Sequence, residues 1–194
     1  MIKHSSLLIL VLAIATQASA QNPTQSYIDK GFSSLEVKVG KNGLLQVPVT
    51  PNVNVLYQKN IADHIALVSY TEVAKSIFDT DPAQQYLVIN NFWWREMVGI
   101  GGTFGRKSLN NNLYLLAGGN FYRSHTYVDE ALKPKMITSK LRPELGLLYN
   151  LKWGKKRVYF SFQHYIPLYP LNLFFARELT KTTSLGIGFK LNQK

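Results

Sequence analysis

The sequence predicts an all-β chain closed into an antiparallel up-and-down transmembrane β-barrel of about eight strands, with ten strands as the alternative. Three observations lead there. Apolar and polar residues alternate with a period of two along most of the chain, polar faces mix charges and amides with glycine, and aromatic residues gather near the ends of the alternating segments. Composition sets the limits. The chain has 194 residues, 46% of them hydrophobic, a formal charge of +11 and no cysteine. That is enough apolar material for one ordered domain, and it excludes disulfide frameworks, thiolate metal sites and cysteine nucleophiles. No apolar run reaches the roughly 18 residues that a spanning helix requires.

The first element is an address. Lys3 is followed by the apolar run Leu7 to Ala15 and by Ala18-Ser19-Ala20, a small-x-small cleavage pattern. Residues 1–20 therefore read as a signal peptide cut between Ala20 and Gln21, leaving 21–194 as one outer-membrane β-barrel domain. The alternative, a short membrane anchor, falls at about half the length of a spanning helix.

Strands are expected near 32–39, 45–58, 64–75, 87–106, 112–126, 140–153, 156–166 and 182–191. The last segment alternates most cleanly, with Leu185, Ile187, Phe189 and Leu191 set between Ser184, Gly186, Gly188 and Lys190. Leu145, Leu147, Tyr149, Leu151 and Trp153 share one face, as do Val158, Phe160 and Phe162. Pro48 and Pro51 cannot donate to a ladder, so the second segment is expected to bend or divide. Leu171 to Leu179 is apolar enough for a further strand, which is what keeps ten strands open.

In a membrane the apolar face must look outward, and the sheet must close, because each unpaired backbone group in hydrocarbon costs several kcal/mol. Leu145, Leu147, Leu151, Val158, Phe160, Phe162, Leu185, Ile187 and Phe189 are then lipid-facing. Arg142, Glu144, Asn150, Arg157 and Gln163 line the lumen, and Trp93, Trp94, Tyr122 and Trp153 form interfacial girdles. Arg142 and Glu144, two apart on one strand, read as a lumen ion pair with either a filling or a gating role. The competing architecture is a soluble periplasmic β-calyx that binds lipid, in which the same apolar residues turn inward.

The closing Ser184-Leu185-Gly186-Ile187-Gly188-Phe189-Lys190-Leu191, with the export signal and alternating strands, resembles small outer-membrane β-barrel proteins of Gram-negative bacteria. The ending is especially similar to the outer-membrane β-barrel domain group of Bacteroidetes-type bacteria. The resemblance implies residence in the outer membrane and recognition by the barrel-assembly machinery, with Phe189 as the terminal aromatic of the final strand.

Chemistry has few footholds. After the signal segment the histidines are His64, His125 and His164, and there is no HExxH, P-loop or nucleophile elbow, so no metal or cofactor is expected. A rim-located lipid hydrolase would draw on Ser124-His125 with Asp129 and Glu130, or on Ser161 with His164, but strand neighbours point to opposite faces. Lys133, Lys135, Lys140 and Arg142 make the 127–140 segment basic, which suits outer-membrane lipids and the phosphates of lipopolysaccharide. Scattered charge on an exported chain argues against nucleic acid. The expected function is that of a non-enzymatic integral outer-membrane protein with a structural, adhesive or small-solute role.

Overall fold

The computed structural model describes residues 26–42, 50–78, 87–106, 108–128, 136–169 and 181–191. The signal segment with Ala18, Ala20 and Gln21, as well as Pro48, Asp129, Glu130, Lys133, Lys135 and the 171–179 segment, lies outside the described residues.

Eight strands follow one another around a closed barrel: β1 (Ser33–Asn42), β2 (Thr50–Ala62), β3 (Ile65–Phe78), β4 (Leu87–Arg106), β5 (Leu109–Val128), β6 (Met136–Trp153), β7 (Val158–Tyr169) and β8 (Thr182–Lys190). Every neighbouring pair is antiparallel, and β1 closes on β8 through Val37↔Ile187 and its flanking partners. Since β8 pairs with both β7 and β1, the ring is complete with eight strands and the ten-strand alternative falls. Over the span that all eight strands share, closure pairs both edges of every strand.

Alternation decides which side of the wall each residue takes. In β2 Asn52, Asn54, Leu56, Gln58 and Asn60 are buried while Pro51, Val53, Tyr57, Lys59 and Ile61 are exposed. Pro51 stands on the outer face near the strand start and interrupts nothing further along. The interior is mostly polar, and the exposed wall carries Val39, Val53, Leu67, Val98, Ile100, Leu113, Leu115, Phe160, Leu185 and Ile187. This is the inverse of a soluble core, and it removes the calyx reading, which needed Leu147 and Ile187 inside.

Six of the eight strands extend past the segments the sequence pattern suggests, β5 at both ends. Asn110-Asn111-Asn112 looks like a turn, yet it belongs to β5, with Asn110 and Asn112 buried and Asn111 accepting a hydrogen bond from the Tyr149 hydroxyl at 2.7 Å on the outside. A polar interior makes an asparagine run compatible with a strand. At the β2–β3 hairpin, His64 takes the left-handed conformation (φ 65°), and the register shifts between Asn60 and Ala62.

One end of the barrel has the short connections that join β2 to β3, β4 to β5 and β6 to β7. Residues 26–32 cross this end as a plug. Tyr27 and Phe32 are fully buried and meet edge-to-face at 5.4 Å, as do Tyr27 and Tyr159. The plug is tied to the hairpins: the Asn60 amide donates to the carbonyls of Tyr27 and Asp29, His64 N–H donates to Ile28 O, and Tyr27 Oη donates to Gly154 O at 2.6 Å. Burial, then the nearby Glu36 charge, holds the Tyr27 phenol well above its usual pKa, so it remains a donor. Tyr27→Phe is expected to cost about 1 kcal/mol, the ordinary value of one such bond, measured as a shift in urea midpoint for release from lipid vesicles.

Candidate functional site

The lumen holds the molecule's dense chemistry, in two charge clusters separated by a layer of rings and aliphatics. Near the plugged end Glu36 on β1 sits between two ammonium groups, Lys38 Nζ at 2.6 Å and Lys152 Nζ at 2.9 Å, all three fully buried. Asn150 Nδ2, Tyr159 Oη and Ser161 Oγ also donate to the Glu36 carboxylate. Lys152 Nζ donates further to Ser34 Oγ and Gln58 Oε1, and lies 5.4 Å from the Phe32 ring centroid of the plug.

Toward the other end the charges are reversed. Arg95 on β4 bridges two carboxylates, with Nη1 at 2.7 Å from Glu72 Oε2 and Nε at 3.0 Å from Glu144 Oε1. Its guanidinium lies 4.4 Å from the Tyr165 ring centroid. Tyr70 and Thr182 donate to Glu72, and Tyr165 and Asn120 donate to Glu144. Between the clusters lie Leu56, Val68, Tyr70, Met97, Tyr114, Leu116, Leu148 and Tyr165.

These contacts span the bore. Tyr70 on β3 stacks on Tyr165 of β7 across the ring at 5.8 Å, Lys152 of β6 reaches Gln58 of β2, and Tyr114 of β5 donates to the same Gln58 oxygen. Two glycines make room for the rings: a Cβ on Gly146 would come within 2.4 Å of the Tyr165 ring, and one on Gly188 within 2.4 Å of Tyr159. The described interior is a filled core, as expected for the smallest barrels.

Of the residues assigned to the lumen from sequence, Glu144, Asn150 and Gln163 are buried inside, and Gln163 Oε1 accepts from Lys38. Arg142 is corrected. It shares the inward register of Glu144 but is exposed, because β6 there continues past the last β7 partner at Leu145. The cation that pairs with Glu144 is Arg95. Arg157 is also corrected: it lies in the β6–β7 turn and is half-buried, with β7 starting only at Val158.

On the outer wall Val158, Phe160, Leu185, Ile187 and Leu145 are exposed, and Leu147, Leu151 and Phe162 are partly so. Phe189 is only 7% exposed. It occupies the β8 end, in register with Leu35 of β1 and Val158 of β7, and is corrected from a lipid-facing to a buried position. In the girdle Trp94 (51%) and Trp153 (66%) are exposed, whereas Trp93 is buried and meets the Tyr122 ring at 5.4 Å on the inward register. Neighbouring tryptophans cannot share one face of a strand, so Trp93 and Tyr122 leave the girdle.

The hydrolase constellation does not assemble. Ser161 Oγ points inward to Glu36 and Asn150, while His164 is on the opposite side of the same strand with Nδ1 2.9 Å from Thr183 Oγ1. Ser124 and His125 are consecutive in β5 and so occupy opposite register positions. Among the described residues no group of three or more His, Cys, Asp or Glu is arranged to hold a metal.

No protein-family model and no curated protein matches the sequence. Solved structures do. The attachment invasion locus protein Ail of Yersinia pestis superposes with a TM-score of 0.53 at 12% identity, covering 83% of this chain and 99% of that one. The same outer membrane protein in a phospholipid bilayer nanodisc gives 0.51 at 13% identity, over 83% and 99%. Neisserial surface protein A gives 0.52 at 9% identity, over 82% of this chain and 96% of that one. At these identities the likeness is one of architecture: this chain has the closed eight-stranded up-and-down fold of outer-membrane barrels.

Proposed function

We propose that this chain is an integral protein of the outer membrane of a Gram-negative bacterium, non-enzymatic, and structural or adhesive in role. The observation that carries the reading is the inverted wall, with leucine, isoleucine, valine and phenylalanine facing outward around a polar, ion-paired interior. The filled bore favours a structural or adhesive role over passage of a small solute. Adhesion is supported by the lengths of β4 and β5, 20 residues each, against the roughly 9–11 needed to cross. The surplus lies at the end opposite the plug and makes the paired strands project from the bilayer. The export signal and the Leu185-Gly186-Ile187-Gly188-Phe189 ending support insertion by the barrel-assembly machinery and a place in the Bacteroidetes-type group. The basic residues of 127–140 support contact with lipopolysaccharide.

The test is direct. The protein is expected to fractionate with outer membranes, resist carbonate extraction and migrate differently on gels before and after boiling. Recovery as a soluble monomer with no boiling-dependent shift would sink the proposal. Ile187→Arg, which puts a charge on the wall, is expected to lower stability in vesicles by about 2–4 kcal/mol if Ile187 sits near the bilayer midplane. An unchanged urea midpoint would show that this wall does not meet acyl chains.

A further inference from the structure

The outer wall of β3, β4 and β5 changes character at the end away from the plug. Down most of β4 the outward residues are apolar: Phe104, Ile100 and Val98 are exposed. Then comes Glu96, an exposed carboxylate that accepts from Thr71 Oγ1 at 2.9 Å and from Trp94 Nε1 at 3.1 Å. Above it lie Trp94 and Phe92. In the register Phe92 is flanked by Lys75 of β3 and Arg123 of β5, both exposed. Ala74 is buried and Val73 exposed, and Arg123 follows the inward-register Tyr122, so both cations point outward. Neither has an acidic partner among the described residues.

Depth follows from strand geometry. From Phe104 to Glu96 is roughly 27 Å of strand, or about 20 Å along the axis at the usual tilt; Phe92 stands about 31 Å up. The apolar band of such a wall is about 25 Å tall. Glu96 therefore lies close to its upper edge, and the Lys75–Phe92–Arg123 row stands at headgroup level. Two strand spacings separate the cations by roughly 10 Å, within reach of one anionic group for such long side chains. Phe92 meets Phe121 edge-to-face at 6.5 Å, and Trp94, Phe121 and the 75%-exposed Leu141 continue the surface downward.

We infer that this face binds the phosphorylated headgroup of a membrane lipid, with Lys75 and Arg123 bracketing the phosphate over Phe92 and the acyl chains descending across Trp94, Phe121 and Leu141. The site rests on the membrane-barrel reading. It differs from the 127–140 segment in lying on the wall, where only a lipid of the surrounding leaflet presents its phosphate.

The experiment uses the full chain carrying Trp153→Phe, refolded into vesicles, so that Trp94 is the exposed indole. Quenching by phosphatidylglycerol with brominated acyl chains is compared with quenching by phosphatidylcholine bearing the same chains. Preferential quenching by the anionic lipid is expected, and Lys75→Gln/Arg123→Gln should reduce that preference on the order of fivefold for each cation removed. Lys59→Gln, an outward cation at the plugged end, should leave it unchanged, and excess inorganic phosphate should not displace the lipid. An unaltered preference in the double variant, an equal loss in Lys59→Gln, or displacement by free phosphate would each overturn the site. The boiling-dependent gel shift is read on the same samples: its absence in the parent chain would overturn the barrel reading itself, whereas its presence confines any failure to the lipid site.

Discussion

Glu36→Gln is expected to destabilise the folded barrel by about 3–5 kcal/mol, the cost of removing one member of a buried ionic group. The substitution keeps the side-chain shape and an oxygen to accept from Ser161 or Asn150, so little packing is lost. What changes is charge. Lys38 and Lys152 are 2.6 and 2.9 Å from the carboxylate and fully buried, and without it two ammonium groups face each other in a closed bore. Their other partners, Gln163, Ser34 and Gln58, are neutral and cannot replace an anion. The measurement is the urea midpoint for unfolding from vesicles, with folded protein counted by its gel mobility without boiling. Glu36→Gln/Lys38→Met/Lys152→Met should recover much of the loss, because replacing a whole buried ionic group by apolar side chains is often neutral. If the triple variant is no better than the single one, lost hydrogen bonding and not uncompensated charge governs this end of the lumen.

Much of this arrangement is written locally. The alternation in Leu35-Glu36-Val37-Lys38-Val39 places Glu36 and Lys38 on one face, and the segments 87–106 and 182–191 fall within a residue of β4 and β8. The same period of two separates Trp93 from Trp94, so strand geometry itself excludes a girdle that contains both. Other features have no local signal. Lys152 meets Glu36 from a strand more than 100 residues away, and only closure of the ring brings them together. Arg142 has the register of a lumen residue, but whether β7 reaches high enough to cover it depends on how far β7 extends. The plug carries no periodicity: Tyr27 and Phe32 are apolar residues in a polar leader, legible only once the bore and its hairpins exist to receive them. The asparagine run in β5 misleads because turn preference and a polar lumen favour the same residue type.

Arg95→Met is expected to cost about 3–5 kcal/mol as well, and by the opposite route. Methionine approximates the length of the lost side chain, but Glu72 and Glu144 are then two carboxylates with no cation between them. Hydroxyl donors remain, from Tyr70 and Thr182 to Glu72 and from Tyr165 to Glu144, and they solvate the anions without neutralising them. Glu72→Gln/Arg95→Met/Glu144→Gln removes the charges while leaving carbonyl oxygens for those same donors, so it should regain most of the stability in the urea assay. Equal losses in the single and triple variants would point to the guanidinium's stacking on Tyr165 as the main contribution. Glu36 and Arg95 lie in separate charge clusters of the lumen, so Glu36→Gln/Arg95→Met should be additive within about 0.5 kcal/mol. A sizeable coupling would mean that the aromatic layer between the clusters transmits charge or strain along the bore, and that the two ends of the lumen act as one unit.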